Sequence, residues 1–115
     1  MTSHAVGELV VLQPSGDFFE GAACDALEHE LLALAGQGRR VIVDLSRARV
    51  LTAHCLGLLA RAQQLASANG GGVALCGAAA PQRWLLDVTH LAGALPHFSS
   101  KAEAAAHLHA GRALA

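Results

Sequence analysis

An α/β fold built on a small mixed β-sheet follows from three features of this 115-residue sequence. Short apolar runs rich in β-branched residues alternate with segments of helical period. The runs beginning at 41 and 73 are apolar on consecutive residues, broken only by Asp44, as strands buried on both faces of a parallel sheet are. Turn-forming glycine, asparagine or proline residues punctuate the alternation. The pattern predicts four to five strands packed with about four helices, in a single domain over 1–115 with its core at about 8–109.

The first predicted strand is Glu8-Leu-Val-Val-Leu-Gln13, closed by the turn signal Pro14-Ser15-Gly16. From Gly21 the period changes: Cys24, Leu27, Leu31 and Leu34 form one stripe, with Asp25, Glu28 and Glu30 mostly off it, and Gly36-Gln37-Gly38 ends the helix. Val41-Ile-Val-Asp-Leu45 is the next strand. A second helix spans Leu51 to Asn69, with Cys55, Leu58, Leu59, Ala62, Leu65 and Ala66 on one face and Arg61 and Gln64 on the other. Asn69-Gly70-Gly71-Gly72 stops it, because Asn and Gly accept the left-handed conformation of a C-cap. Val73 to Gly77 is a strand, and Pro81 suits the first turn of a helix ending near Val88. A short strand at Ala94–Phe98 follows, and Ser99 or Ser100 caps a last helix from Lys101 to about His109.

Composition excludes several classes. Hydrophobic residues make up 53% and charged residues only 15%, which argues against disorder. Eight basic residues balance nine acidic ones, so no long-range field draws nucleic acid or an anionic membrane. Such sparse charge on a chain with 3% aromatic residues predicts apolar surface patches and hence a protein partner. Arg61, Arg83 and Asp87 interrupt every run long enough to span a bilayer, and the N-terminus lacks the basic and apolar regions of a secretory signal. The three cysteines are odd in number and widely spaced, as reduced thiols in a cytoplasmic protein are.

Catalytic and metal chemistry find no constellation. The seven histidines form no H-x-x-x-H pair and no set with C-x-x-C, so no metal or cofactor is expected. His54 beside Cys55 is not a thiolate–imidazole pair, since adjacent residues on a helix do not face each other. Gly70-Gly71-Gly72 precedes a strand and lacks both phosphate-loop patterns. The chain is expected not to be an enzyme.

The order of elements, and Val41-Ile-Val-Asp44-Leu45 leading into Thr52-Ala53-His54-Cys55-Leu56-Gly57, resembles the STAS domain of bacterial anti-sigma factor antagonists. That family carries a strand ending in Asp-Leu or Asn-Leu and, some eight residues on, Asp-Ser-Ser-Gly-Leu-Gly at the start of the second helix. Counting eight from Asp44 reaches Thr52, and Leu56-Gly57 falls on the family's Leu-Gly without a gap. Arg83 to Leu91 is similar to the family's R-x-L-x-x-x-G-L helix, and Leu95 to Ala105 to its closing strand and helix. The likeness covers about Glu8 to Leu108.

This resemblance implies a non-enzymatic module that binds an anti-sigma factor kinase through the start of the second helix and the loop before the first. Phosphorylation of the second Ser of the motif would end that binding by adding charge at a packed interface. The sequence departs where the switch belongs. Thr52 replaces the Asp, Ala53 the first Ser, His54 the phosphoacceptor and Cys55 the Gly. In the other loop, Gly16-Asp17-Phe18-Phe19 puts Phe19 on a position where Asp is usual, and His90 stands where a helix-ending Gly is usual. The implied partner-binding set is Asp17, Phe18, Phe19, Thr52, Ala53, His54, Cys55 and Arg61. Thr52 is either an N-cap or a displaced phosphoacceptor. A STAS subunit of a lipid-type ABC transporter ATPase is the alternative; a small-molecule sensor or a metal binder using the histidines is a third, and a pocket lined by Cys55, Cys76 and Trp84 would favour its ligand version. A homodimer stays open beside these.

Overall fold

The computed structural model describes residues 2–6, 9–15, 21–48, 53–88 and 95–114. Its elements run β1 (Thr2–Val6), β2 (Leu9–Gln13), α1 (Gly21–Gly36), β3 (Arg40–Asp44), α2 (Ala53–Ala68), β4 (Gly72–Cys76), α3 (Ala80–Val88), β5 (His97–Phe98) and α4 (Lys101–Leu114). The five strands form one sheet in sequence order. β1 pairs antiparallel with β2, whereas β2, β3, β4 and β5 run parallel. The mixed α/β sheet predicted from the alternation is therefore present, with four helices among the described residues.

Register explains why the central residues of β2, β3 and β4 are apolar on both faces. Val10, Val41 and Val73 align across three strands, as do Leu12, Val43 and Leu75. These residues share one face and pack with Leu27, Leu31 and Ala35 of α1 and Leu56, Leu59, Ala62 and Ala66 of α2. Leu86 of α3 joins the same cluster. Alternation sends Leu9, Val11, Ile42, Ala74 and Cys76 to the other face, where Ala104 and Leu108 of α4 cover them. The result is three layers, with α1 to α3 above the sheet and α4 below. Burying both faces is what a continuous apolar strand requires.

The two long helices end alike. After α1, Gly38 N–H donates to Ala35 and Arg39 N–H to Leu34, and Gly38 sits at φ 69°. After α2, Gly70 N–H donates to Ser67 and Gly71 N–H to Ala66, with Gly70 at φ 86°. Both are Schellman caps, in which a glycine takes the left-handed position and the last carbonyls of the helix gain donors. The two caps meet at one end of the sheet, where Gly72 N–H donates to Arg39 at 3.2 Å.

Several expectations are corrected in detail. The stripe of α1 continues through fully buried Ala35, while Leu34 is only partly covered. Leu65 is 39% exposed because it lies on the outward side of α2, one position from the buried Ala66. β1 had no counterpart in the sequence reading: its exposed Ser3 and Ala5 break the apolar pattern of a strand. β5 is only His97–Phe98, and α4 continues to Leu114 through Gly111, a residue costing a helix about 1 kcal/mol against Ala.

Candidate functional site

The parallel strands end together at one rim, which also receives the beginnings of α2 and α4. Ligands and partners of open α/β sheets commonly use this carboxyl end, since loops there vary without disturbing the sheet. The rim here is organised around Asp44, the last residue of β3, which is 4% exposed. Its Oδ2 accepts from Gln13 Nε2 at 2.9 Å, and its Oδ1 accepts from Ser46 N–H at 3.0 Å. Lys101, in the first turn of α4, brings its ammonium to 3.6 Å from Oδ2. Burial by itself raises the Asp44 pKa, yet hydrogen bonds from Ser46 and Gln13 and the charge of Lys101 outweigh it, so the carboxyl is held below its ordinary value. Asp44 is thus an ionised, saturated bracket that ties β2, β3 and α4 together.

A second bracket holds the chain leaving β3. Leu45 N–H donates to Cys76 at 2.8 Å, and Ala48 N–H to Leu45 at 3.1 Å. The carbonyl of Ala48 then accepts from the buried Gln82 Nε2 at 2.7 Å. Gln82 Oε1 accepts from Ala79 N–H at 2.7 Å, capping α3. Gln82 therefore fastens the start of α3 to the connection that leads into α2.

α4 begins as the sequence reading expects. Ser100 Oγ accepts from Glu103 N–H at 3.2 Å, and Ser99 Oγ donates to the Glu103 carboxylate at 3.1 Å. Asp44, Ser46, Cys76, Gly77, Ser99, Ser100 and Lys101 line a depression of about 270 Å³ beside it. Cys76 is not a nucleophile there: burial, then the negative charge of Asp44, pushes its thiol up to about 11. Close by, His97 Nε2 accepts from Ala78 N–H at 3.2 Å, and burial followed by the charge of Arg83 lowers its pKa.

The expected partner-binding residues fare differently. His54 and Arg61 are both exposed. Seven residues apart on α2, they share one outward face, about 10 Å from each other along the axis. Leu65, one further turn along, continues that face. Cys55 does not belong to it. Its side chain is fully buried in the cluster between α2 and the sheet, because one residue of helix turns it about 100° from His54. Ala53 opens α2. Asp17, Phe18, Phe19, Thr52 and His90 lie outside the described residues. Cys55, Cys76 and Trp84 line no common pocket: the two thiols lie on opposite faces of the sheet, and Trp84 is 64% exposed. Among the described residues, no three His, Cys, Asp or Glu side chains converge on a metal position, and no helix is long and apolar enough to cross a membrane.

Sequence reasoning missed Gln13, Gln82 and Lys101. Lys101 and Gln82 carried a weak signal as polar residues in the first turns of predicted helices, but nothing local named their partners.

Sheet order, parallel core and helix placement together are those of the STAS fold, the architecture of solved anti-sigma factor antagonist structures. A Thermotoga maritima protein described as a candidate anti-sigma factor antagonist superimposes with a TM-score of 0.81 at 17% identity, covering 94% of this chain and 93% of its own. An anti-sigma-factor antagonist (STAS) domain protein of Planctomyces limnophilus gives 0.76 at 20% identity, over 94% and 97%. The anti-sigma factor antagonist SpoIIAA of Bacillus matches in its unphosphorylated form at 0.71 and in its phosphorylated form at 0.70. Both comparisons are at 17% identity and cover 92% of this chain, with 94% and 96% of SpoIIAA respectively. No protein-family model matches the chain, and no curated protein matches it significantly.

Proposed function

We propose that the chain is a non-enzymatic, cytoplasmic regulatory module of the anti-sigma-factor-antagonist kind, acting by direct binding to an anti-sigma factor kinase or a similar protein. The observation that carries this reading is the exposed face of α2 that begins at His54 and continues through Arg61, set at the carboxyl rim of a STAS sheet. The contact would comprise the start of α2 (Thr52, Ala53, His54), Arg61 about two turns beyond, and the segment Asp17-Phe18-Phe19. Cys55 supports that surface from inside the core. His54 occupies the place of the serine that the resemblance makes the phosphoacceptor, so this copy of the switch lacks its usual off position. Thr52 is the one hydroxyl left at the motif.

Incubation with the cognate anti-sigma kinase and ATP, followed by phosphosite mapping and a binding measurement, tests the reading. Retained binding with no phosphate at residues 52–57 supports it. Phosphate on a serine elsewhere, with loss of binding, contradicts the placing of the site. Capture of a transporter ATPase in place of the kinase would replace the reading with the subunit alternative.

A further inference from the structure

α3 carries an apolar stripe that the rim does not use. Trp84 and Val88 are 64% and 46% exposed, and four residues apart they stand one above the other on one side of the helix. They cannot turn inward, because buried Gln82 and Leu86 anchor the opposite side. Arg83 and Asp87, also four apart and exposed, flank the stripe. A basic residue preceding an acidic one in this spacing is the weaker order for an intrahelical pair, since it runs against the helix dipole. The two charges are therefore poorly spent within their own helix.

We propose that this stripe joins two copies of the chain, α3 against α3, antiparallel about a two-fold axis. Such a contact is isologous, so one patch must complement itself. The patch does. The midpoint of Trp84 and Val88 and the midpoint of Arg83 and Asp87 differ by a single residue, about 1.5 Å of rise. One axis therefore places Trp84 on Val88 of the partner subunit and Arg83 beside Asp87 of the partner subunit, twice over. One charge of each sign on each copy cancels across the contact. A different protein would have to supply both the apolar pocket and the reversed charges; a second copy supplies them by symmetry.

Size sets the strength. α3 has nine residues and is about 13 Å long. Two tryptophans, each burying about 150–250 Å², put the contact at the small end of specific interfaces. The dimer should be reversible and dependent on concentration. No residue is shared with the kinase-binding surface proposed above, so either reading can fail alone.

Trp84 is the only tryptophan in the chain, so its emission reports on this contact directly. Sedimentation equilibrium on the full chain, from micromolar to millimolar concentration, should show the mass rising from one chain towards two. Trp emission should shift to the blue over the same range. Trp84→Ala should leave the protein monomeric with an unchanged circular dichroism spectrum. Arg83→Glu should weaken association at least tenfold, and Arg83→Glu with Asp87→Arg should restore it. A monomer at every concentration overturns the proposal, and so does a dimer whose Trp emission does not move. A monomer that binds a different protein only when Trp84 is present overturns it in favour of that partner.

Discussion

The side-chain amide of Gln82 reaches across 34 positions of sequence to donate to the carbonyl of Ala48 at 2.7 Å, in a part of the protein closed to water. No surrounding water can replace that donor. Gln82→Ala should therefore lower unfolding stability by about 1–3 kcal/mol, the range for a buried acceptor left alone. Urea denaturation checks this. Gln82→Glu keeps an acceptor for Ala79 N–H but removes the donor, and should recover little of the loss.

Asp44 makes stability fall in acid. Its folded pKa lies below the ordinary 3.8, so the folded state holds its proton less tightly than the unfolded chain does. The stabilisation is complete above 3.8 and disappears as pH falls through the folded value. Stability measured against pH should show this acid limb in the native sequence and a flatter one in Asp44→Asn. A mutant with the same limb would contradict the assignment.

His97 acts at a milder pH and in the same direction. Burial and Arg83 hold its folded pKa below 6.5, so between the folded value and 6.5 the unfolded chain binds more protons. Stability must then rise with pH across that window. Protonation also removes the acceptor for Ala78 N–H. Thermal melts on either side of 6.5 should show the rise, and His97→Gln, which cannot titrate there, should lose it.

Gly38 is the fourth test. A methyl group there would occupy a left-handed backbone position and run into the carbonyl of Asn69 in the neighbouring cap. Gly38→Ala should cost about 1–3 kcal/mol, from backbone strain together with the displaced cap. Gly36→Ala, with open space around it, is the control and should be close to neutral or stabilising.

Periodicity made the central sheet legible. Val41 to Val43 and Val73 to Cys76 are apolar because both of their faces are covered, and that requirement is written residue by residue. β1 escaped because an edge strand with exposed Ser3 and Ala5 owes its pairing to β2 rather than to its own pattern. The brackets at the rim escaped for another reason. Gln13 and Asp44 are 31 positions apart, and hydrogen bonds of that span leave no local trace in composition or period. Cys55 enters the partner set only through its place in the motif; its angular position on the helix, shared with Leu58, Leu59 and Ala62, turns it into the core. His54 and Arg61 agree on one face because seven residues return a helix almost to its starting direction.

Asp44 and Lys101 have a kinetic consequence. The carboxylate is enclosed by its donors and the ammonium is drawn towards it, so the central rim offers little uncompensated charge to an approaching molecule. Encounter there should depend on shape and apolar fit, with association in the ordinary range of about 10⁵–10⁶ M⁻¹s⁻¹ and little response to added salt. Changes in the affinity of any complex formed there should then show mainly in its dissociation rate.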